Sequence, residues 1–232
     1  MGGPRIAIIG AGLQGSSVAL ALAARGYPCQ LFERASAPMQ EASLRNEGKI
    51  HLGFVYALDP RGHTQRAMLE GALSFGPLLE AWCGTVPWRQ LTSSGFRYAV
   101  MPDSLASRDA LISAYTKLSL DTEAVSSSLP YPTHYLGTQL SWLWREARNF
   151  DGAPRTELQA LFDTQELSVD PRALSIFIQE HLAAAPLIEI FSQTYIESAT
   201  RQGSGFLLRA VNPQGTQELQ ADIVINCAWH DR

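Results

Sequence analysis

Cysteine is scarce in this chain. The three present, Cys29, Cys83 and Cys227, are far apart and form no CxxC pair. That argues against a disulfide framework or a cysteine-based zinc site and favours a reducing compartment. The five histidines, His51, His63, His134, His181 and His230, likewise lack metal-ligand spacing. No stretch reaches the roughly 18 consecutive apolar residues needed to span a bilayer, so no membrane span is expected. A run of basic residues is also missing, and the formal net charge is −4. Neither nucleic acid nor an anionic membrane surface is therefore an expected partner. There is no internal repeat and no low-complexity segment. What remains is an ordinary globular composition, 46% apolar and 17% charged in 232 residues, enough for a sizeable buried core.

Arg5 followed by apolar residues running into Ala-Leu-Ala-Leu-Ala-Ala has the outline of a secretory signal. Glycines interrupt that stretch, however, and a second strand ending in an acid follows it. The expected location is cytoplasmic.

The first fifty residues carry the strongest pattern. Arg5 to Ile9 is a short β-branched apolar run suited to a buried parallel strand. Gly10-Ala11-Gly12-Leu13-Gln14-Gly15 follows at once, then an Ala- and Leu-rich helix from Ser16 to Arg25, stopped by Gly26. Cys29 to Phe32 reads as a second strand with Glu33 at its carboxyl end. In such a unit Gly10 allows the tight turn, Gly12 lets a pyrophosphate approach the backbone, and Gly15 lets helix and strand pack closely. The helix N-terminus turns unpaired N–H groups toward the pyrophosphate. Glu33 lies 23 residues after Gly10, near the spacing of about 20 for the acid that accepts hydrogen bonds from an adenosine ribose. Strand, glycines, helix, strand and acid in order predict a Rossmann-type βαβ dinucleotide unit. Glu33 disfavours NADP but leaves FAD and NAD open.

Further along, Glu41-Ala42-Ser43-Leu44-Arg45-Asn46-Glu47-Gly48-Lys49-Ile50-His51 resembles the loop after the second strand in the D-amino-acid oxidase / sarcosine oxidase superfamily. Val169-Asp170-Pro171-Arg172 with its following helix, the strand Leu187 to Phe191, Thr194-Tyr195-Ile196-Glu197, and the strand Ala221 to Trp229 resemble later segments of the same family. Cys227 stands where many members carry glycine. The resemblance covers about residues 5–60 and 165–230. It implies an α/β fold: a Rossmann-like FAD-binding domain (1–58 and 166–232) interrupted by an α+β substrate-domain portion (59–165). It also implies FAD as cofactor, held by Gly10, Gly12, Gly15, Glu33, Arg34, Ser43, Asn46, Gly48 and Ile196, the last touching adenine through its backbone. The implied chemistry is oxidation of an amino acid, N-methyl amine or hydroxy acid by hydride transfer to flavin. His51 and Arg45 are the candidates on the reacting side. For His51 the alternative is a hydrogen-bonded packing residue, and for Arg45 a surface arginine. Family members continue beyond the position of Arg232, so a second chain supplying a further segment is among the expected partners. An NAD-dependent dehydrogenase and a non-catalytic nucleotide-binding subunit are the competing readings.

In the middle of the chain, Gly62 to Trp82 and Ser107 to Leu120 read as helices. Pro87 to Met101 reads as two strands with a turn at Ser93-Ser94-Gly95, and Val125 to Pro132 as a connector. Trp142 and Trp144 are expected in the core, and Tyr56 and Arg97 are candidate substrate contacts.

Overall fold

The computed structural model describes residues 3–147 and 158–228. In chain order the first elements are β1 (Ile6–Ile9), α1 (Leu13–Ala23), β2 (Cys29–Phe32), α2 (Glu41–Leu44), β3 (Lys49–Ile50) and a 3-10 turn at Phe54–Tyr56. Then come α3 (His63–Cys83), α4 (Trp88–Leu91), β4 (Arg97–Val100), α5 (Arg108–Ser128), β5 (Trp144–Glu146), β6 (Ala160–Thr164) and β7 (Leu167–Ser168). The last are α6 (Pro171–Ala184), β8 (Ile188–Phe191), β9 (Tyr195–Gln202), β10 (Gly205–Asn212), β11 (Gly215–Ala221) and β12 (Ile223–Asn226). None of the helices among the described residues is long and apolar enough to cross a membrane. The chain divides into two compact units. One takes the described residues of Met1–Glu47, Ala81–Gly84 and Pro171–Arg232, and the other Gly48–Glu80 and Thr85–Asp170.

The first unit is built on a four-stranded sheet in the order β12-β1-β2-β8. Every neighbouring pair is parallel, with Ile8 flanked by Leu31 on one side and Ile225 on the other. Parallel neighbours need a crossover, and α1 supplies it between β1 and β2. That helix closes at Gly26, whose φ of +80° an L side chain would resist. A three-stranded antiparallel meander, β11-β10-β9, belongs to the same unit. Leu208, Ala210, Ala221 and Ile196 of the meander form one buried cluster with Ala7 and Phe32 of the sheet. Phe32 stacks on Phe191 at 4.8 Å. Burying Phe32 and Leu208 contributes roughly 2–3 kcal/mol each. Trp229, the end of the closing segment in the sequence reading, lies outside the described residues.

The second unit holds an antiparallel sheet, β4-β6-β5, and the short antiparallel pair β3-β7. Its core is aromatic. Tyr115 on α5, 2% exposed, meets Phe54 at 4.9 Å, Phe162 at 5.4 Å and Trp144 at 5.8 Å between ring centroids.

Three sequence expectations change here. Pro87 to Met101 contains one strand, β4, and not two, because Trp88–Leu91 winds into a helical turn. Trp88 is 6% exposed and donates Nε1–H to Glu80 Oε1 at 2.6 Å, so burying the indole decides that turn. Helix α5 runs on to Ser128 and does not stop at Leu120. Val125 is fully buried, and the serine hydroxyls find partners of their own: Ser127 donates to Glu123 O at 2.9 Å, Ser128 to Val125 O at 2.8 Å, and Ser126 pairs with the Thr133 hydroxyl. Burial thus overrides the low helix propensity of serine. Trp142 is 37% exposed, not core, and its ring lies 4.9 Å from the Arg145 guanidinium. The buried residue at that step is Leu143.

Candidate active site

In the first unit the glycines form a cradle that side chains would fill. A Cβ on Gly15 would stand 1.9 Å from Gly10 O, so nothing larger fits between β1 and α1. Gly10 has φ +91°, and a Cβ there would stand 3.1 Å from the carbonyl of Cys227. Gly10 and Cys227 thus stand close through their backbones. Gly12 begins α1, and a Cβ there would reach 3.0 Å from Ser43 Oγ. The helix carries no acidic residue in its first turn, so no carboxylate of its own offsets its partial positive end. Ser43 Oγ accepts from Leu13 N–H at 2.8 Å, which ties the loop after β2 to that helix end. Ser16, not singled out from the sequence, is fully buried and donates its hydroxyl to Ala11 O at 3.0 Å.

Glu33, 9% exposed, accepts from Ala11 N–H through Oε2 and from Ala35 N–H through Oε1, both at 2.8 Å. A carboxylate has about four acceptor sites, so two bonds to the turn leave capacity for ribose hydroxyls. Met39 is held by its N–H on Ala11 O at 2.8 Å, and its carbonyl accepts from buried Ser175 at 3.4 Å. Arg34 and Arg45 are exposed. Asn46 donates Nδ2–H to the carbonyls of Ala42 and Ser43 at 3.0 Å, which places its amide at the end of α2. Ile196 directs its side chain into the buried cluster, so only its backbone can face a ligand. Gly48, in the other unit, has φ +64°, and its carbonyl accepts from Val169 N–H at 2.8 Å. Burial pushes the thiols of Cys29 and Cys83 up to about 11 and raises that of Cys227. None is primed as a nucleophile.

The second unit brings His51 to a partner that spacing could not reveal. Strands β3 and β7 pair antiparallel with Ile50 opposite Leu167. The next position along that register sets His51 opposite Glu166, 115 residues away. Glu166 is fully buried. Its Oε2 accepts from Leu52 N–H at 2.6 Å, and its Oε1 from the Tyr98 hydroxyl at 2.5 Å, with His51 Nδ1 at 3.2 Å. The Tyr98 hydroxyl is pushed well above its ordinary range, by burial first and then by the charge of Glu166, so it stays a donor. Burial, followed by the same charge, pushes Tyr115 up to about 12. Tyr135 donates to Ile50 O at 2.5 Å and accepts from Leu167 N–H at 2.9 Å, bridging the two strands next to which His51 and Glu166 stand. Tyr56 meets the His51 ring edge-on at 6.0 Å. Arg97 pairs with Asp163 at 2.8 Å and lines a cleft of about 400 Å³ with Tyr135, Trp142 and Arg145.

A family model described as FAD dependent oxidoreductase matches residues 5–231. The chain belongs to this family of flavoproteins, whose cofactor is FAD. The NAD alternative falls with that match. Among individual proteins, the chain is similar to a tRNA 5-methylaminomethyl-2-thiouridine biosynthesis bifunctional protein MnmC from Pseudoalteromonas atlantica. The two are 24% identical over 77% of this chain and 27% of that protein. An L-amino acid deaminase from Proteus vulgaris, solved with its specific insertion sequence deleted, shares the fold with a TM-score of 0.63 at 16% identity. That match covers 97% of this chain and 54% of the deaminase. An L-alpha-glycerophosphate oxidase from Mycoplasma pneumoniae, solved with FAD bound, has a TM-score of 0.60 at 17% identity, over 97% of this chain and 53% of the oxidase. The chain thus spans about a quarter of that curated relative and about half of those solved chains.

Proposed function

We propose that this chain is the FAD-holding part of an enzyme that oxidises the C–N bond of an amine or amino acid. The glycine cradle with Glu33 behind it, in a chain matched to the family over residues 5–231, is the observation that carries the reading. In this reading Gly10, Gly12 and Gly15 clear space for the pyrophosphate, and the first turn of α1 donates N–H groups to it. Glu33 accepts from the ribose, and the backbone at Ile196 faces the adenine. Arg34, Ser43, Asn46 and Gly48 shape the loop around the cofactor. When bound, FAD supplies the two-electron acceptor, and the protein supplies binding and orientation. His51 and Arg45 belong to the reacting side, His51 as an acceptor for a substrate N–H and Arg45 as a partner for a carboxylate. The small-molecule substrate class follows the printed activities of the deaminase and of the methylaminomethyl-uridine protein, both of which name amine-bearing compounds.

The test is the visible absorbance of the purified chain after incubation with FAD and gel filtration, with NAD as control. Flavin bands that stay with the protein, and that bleach anaerobically with an amine or amino acid, are the expected result. Loss of FAD on the column would overturn the proposal that this chain holds the cofactor. Retained flavin bleached only by a hydroxy acid would overturn the C–N assignment.

A further inference from the structure

We infer that Glu166 is a positioning residue that holds His51 with its proton on Nδ1 and leaves the Nε2 lone pair free to accept a hydrogen bond from a substrate N–H. The inference rests on the proposed reading of His51 as a residue of the reacting side. Three observations lead to it. Glu166 has no exposed surface, and a buried carboxylate persists only where donors surround it. Two donors are fixed: the Leu52 N–H at 2.6 Å has no alternative role, and the Tyr98 hydroxyl at 2.5 Å keeps its proton. An ionised carboxylate only accepts, so the third neighbour, His51 Nδ1 at 3.2 Å, carries the hydrogen. The ring is 23% exposed, and Nε2 makes no hydrogen bond among the described residues. A neutral imidazole protonated on one nitrogen is an acceptor on the other. The burial of Glu166 thus turns the orientation of a partly exposed histidine into a fixed chemical polarity. An amine offers this Nε2 the donor it lacks.

Glu166 also anchors the β3-β7 pair, so the measurement must respond to the tautomer and not to stability alone. The imidazole 15N–1H spectrum of the whole 232-residue chain, labelled at histidine, does this. It is recorded about two units above the ordinary imidazole pKa near 6.5. The His51 signals are identified by their loss in His51→Gln. The expected wild-type pattern is a protonated Nδ1 and a bare Nε2, with or without FAD. In Glu166→Gln that pattern is expected to give way to the Nε2–H form or to a mixture. Tyr98→Phe, which keeps the carboxylate, is expected to retain it. A wild-type His51 protonated on Nε2, a pattern unchanged in Glu166→Gln, or its loss in Tyr98→Phe would overturn the assignment. Should Glu166→Gln fail to fold, the wild-type and Tyr98→Phe spectra still decide. None of these spectra depends on turnover, so the tautomer can fail while the flavin reading stands, and the reverse. In an amine-oxidising preparation, Glu166→Gln is expected to lower kcat about 10–100-fold with KM nearly unchanged, as for residues that orient an active-site imidazole. An equal kcat in the two proteins would also overturn the positioning role.

Discussion

The two units build their sites from different parts of the chain's chemistry. The glycine cradle of the first is made mainly of backbone, and its parts lie close in sequence. Gly10, Gly12, Gly15, Glu33 and Ser43 lie within one βαβ unit and the loop that follows it, joined by bonds such as Glu33 to Ala11 and Ser43 to Leu13. The His51 cluster of the second unit is made of side chains, and its members come from the residue after β3, from β4 and from the residue before β7. A backbone-built site needs glycine at set positions, and space is what it cannot spare. A side-chain-built site needs every buried polar atom partnered, and the partner is what it cannot spare. The same kind of substitution should therefore have opposite signatures in the two units.

The largest effect should come from adding volume to the cradle. Gly15→Val drives its Cβ against Gly10 O, 1.9 Å away before relaxation. A cost of roughly 3 kcal/mol or more is expected, near the upper end for overpacking. Thermal unfolding should shift down by about 6–12 °C, with FAD no longer retained on gel filtration. Removing volume in the second unit comes next. Glu166→Ala strands Leu52 N–H and the Tyr98 hydroxyl in a buried place and should cost about 3 kcal/mol. FAD should still be retained on gel filtration, since Glu166 belongs to the side-chain cluster of the second unit and not to the glycine cradle. A large drop in FAD affinity for Glu166→Ala would erase the contrast.

Glu33→Ala crosses the two rules, because a side chain there serves a backbone-built site. It frees the N–H groups of Ala11 and Ala35 and should cost about 2 kcal/mol in urea unfolding. Retained FAD should fall sharply, and unaltered retention would show that the turn alone suffices. Asn46→Ala removes two bonds to carbonyls at the end of an exposed helical turn. About 1 kcal/mol is expected, readable as a small shift in the urea midpoint.

The smallest effect is at the sheet edge of the first unit. Hydrogen bonds from Arg5 and its positive charge hold the Asp222 carboxyl down at about 2, below the ordinary value near 3.9. A depressed carboxyl stabilises the fold above its unfolded value, and that contribution is lost as pH falls from about 4 through about 2. Asp222→Asn should therefore differ slightly from the wild type at pH 6 and converge with it near pH 2. A gap that stayed constant with pH would show that Asp222 acts only through packing. The pair is exposed, so salt should narrow the difference.

The legibility of the molecule follows the same division. The parallel strands at Ile6 and Cys29 could be read because their patterns are local, and those at Ile188 and Ile223 through the family resemblance. Apolar β-branched runs mark buried strands, and alternation marks a half-exposed sheet. The helical turn at Trp88 and the extra turns of α5 could not, since the burial of Trp88 and Val125 that decides them depends on what packs around them. Serine in the last turns of α5 argues for a loop until the buried valine is known. Trp142 failed in the other direction, an apolar side chain left at the surface beneath Arg145.

The sequence by itself determined the glycine cradle. Glycine spacing, the strand before it and the acid after it are covalently tied to one another, so no fold could separate them. Only the tertiary structure decided that His51 faces Glu166. Antiparallel pairing of two-residue strands drawn from opposite ends of the second unit sets that opposition. A carboxylate between a glutamine and a leucine shows nothing in its neighbours that foretells complete burial. Its charge becomes meaningful only when the fold surrounds it with a tyrosine hydroxyl, a backbone N–H and an imidazole.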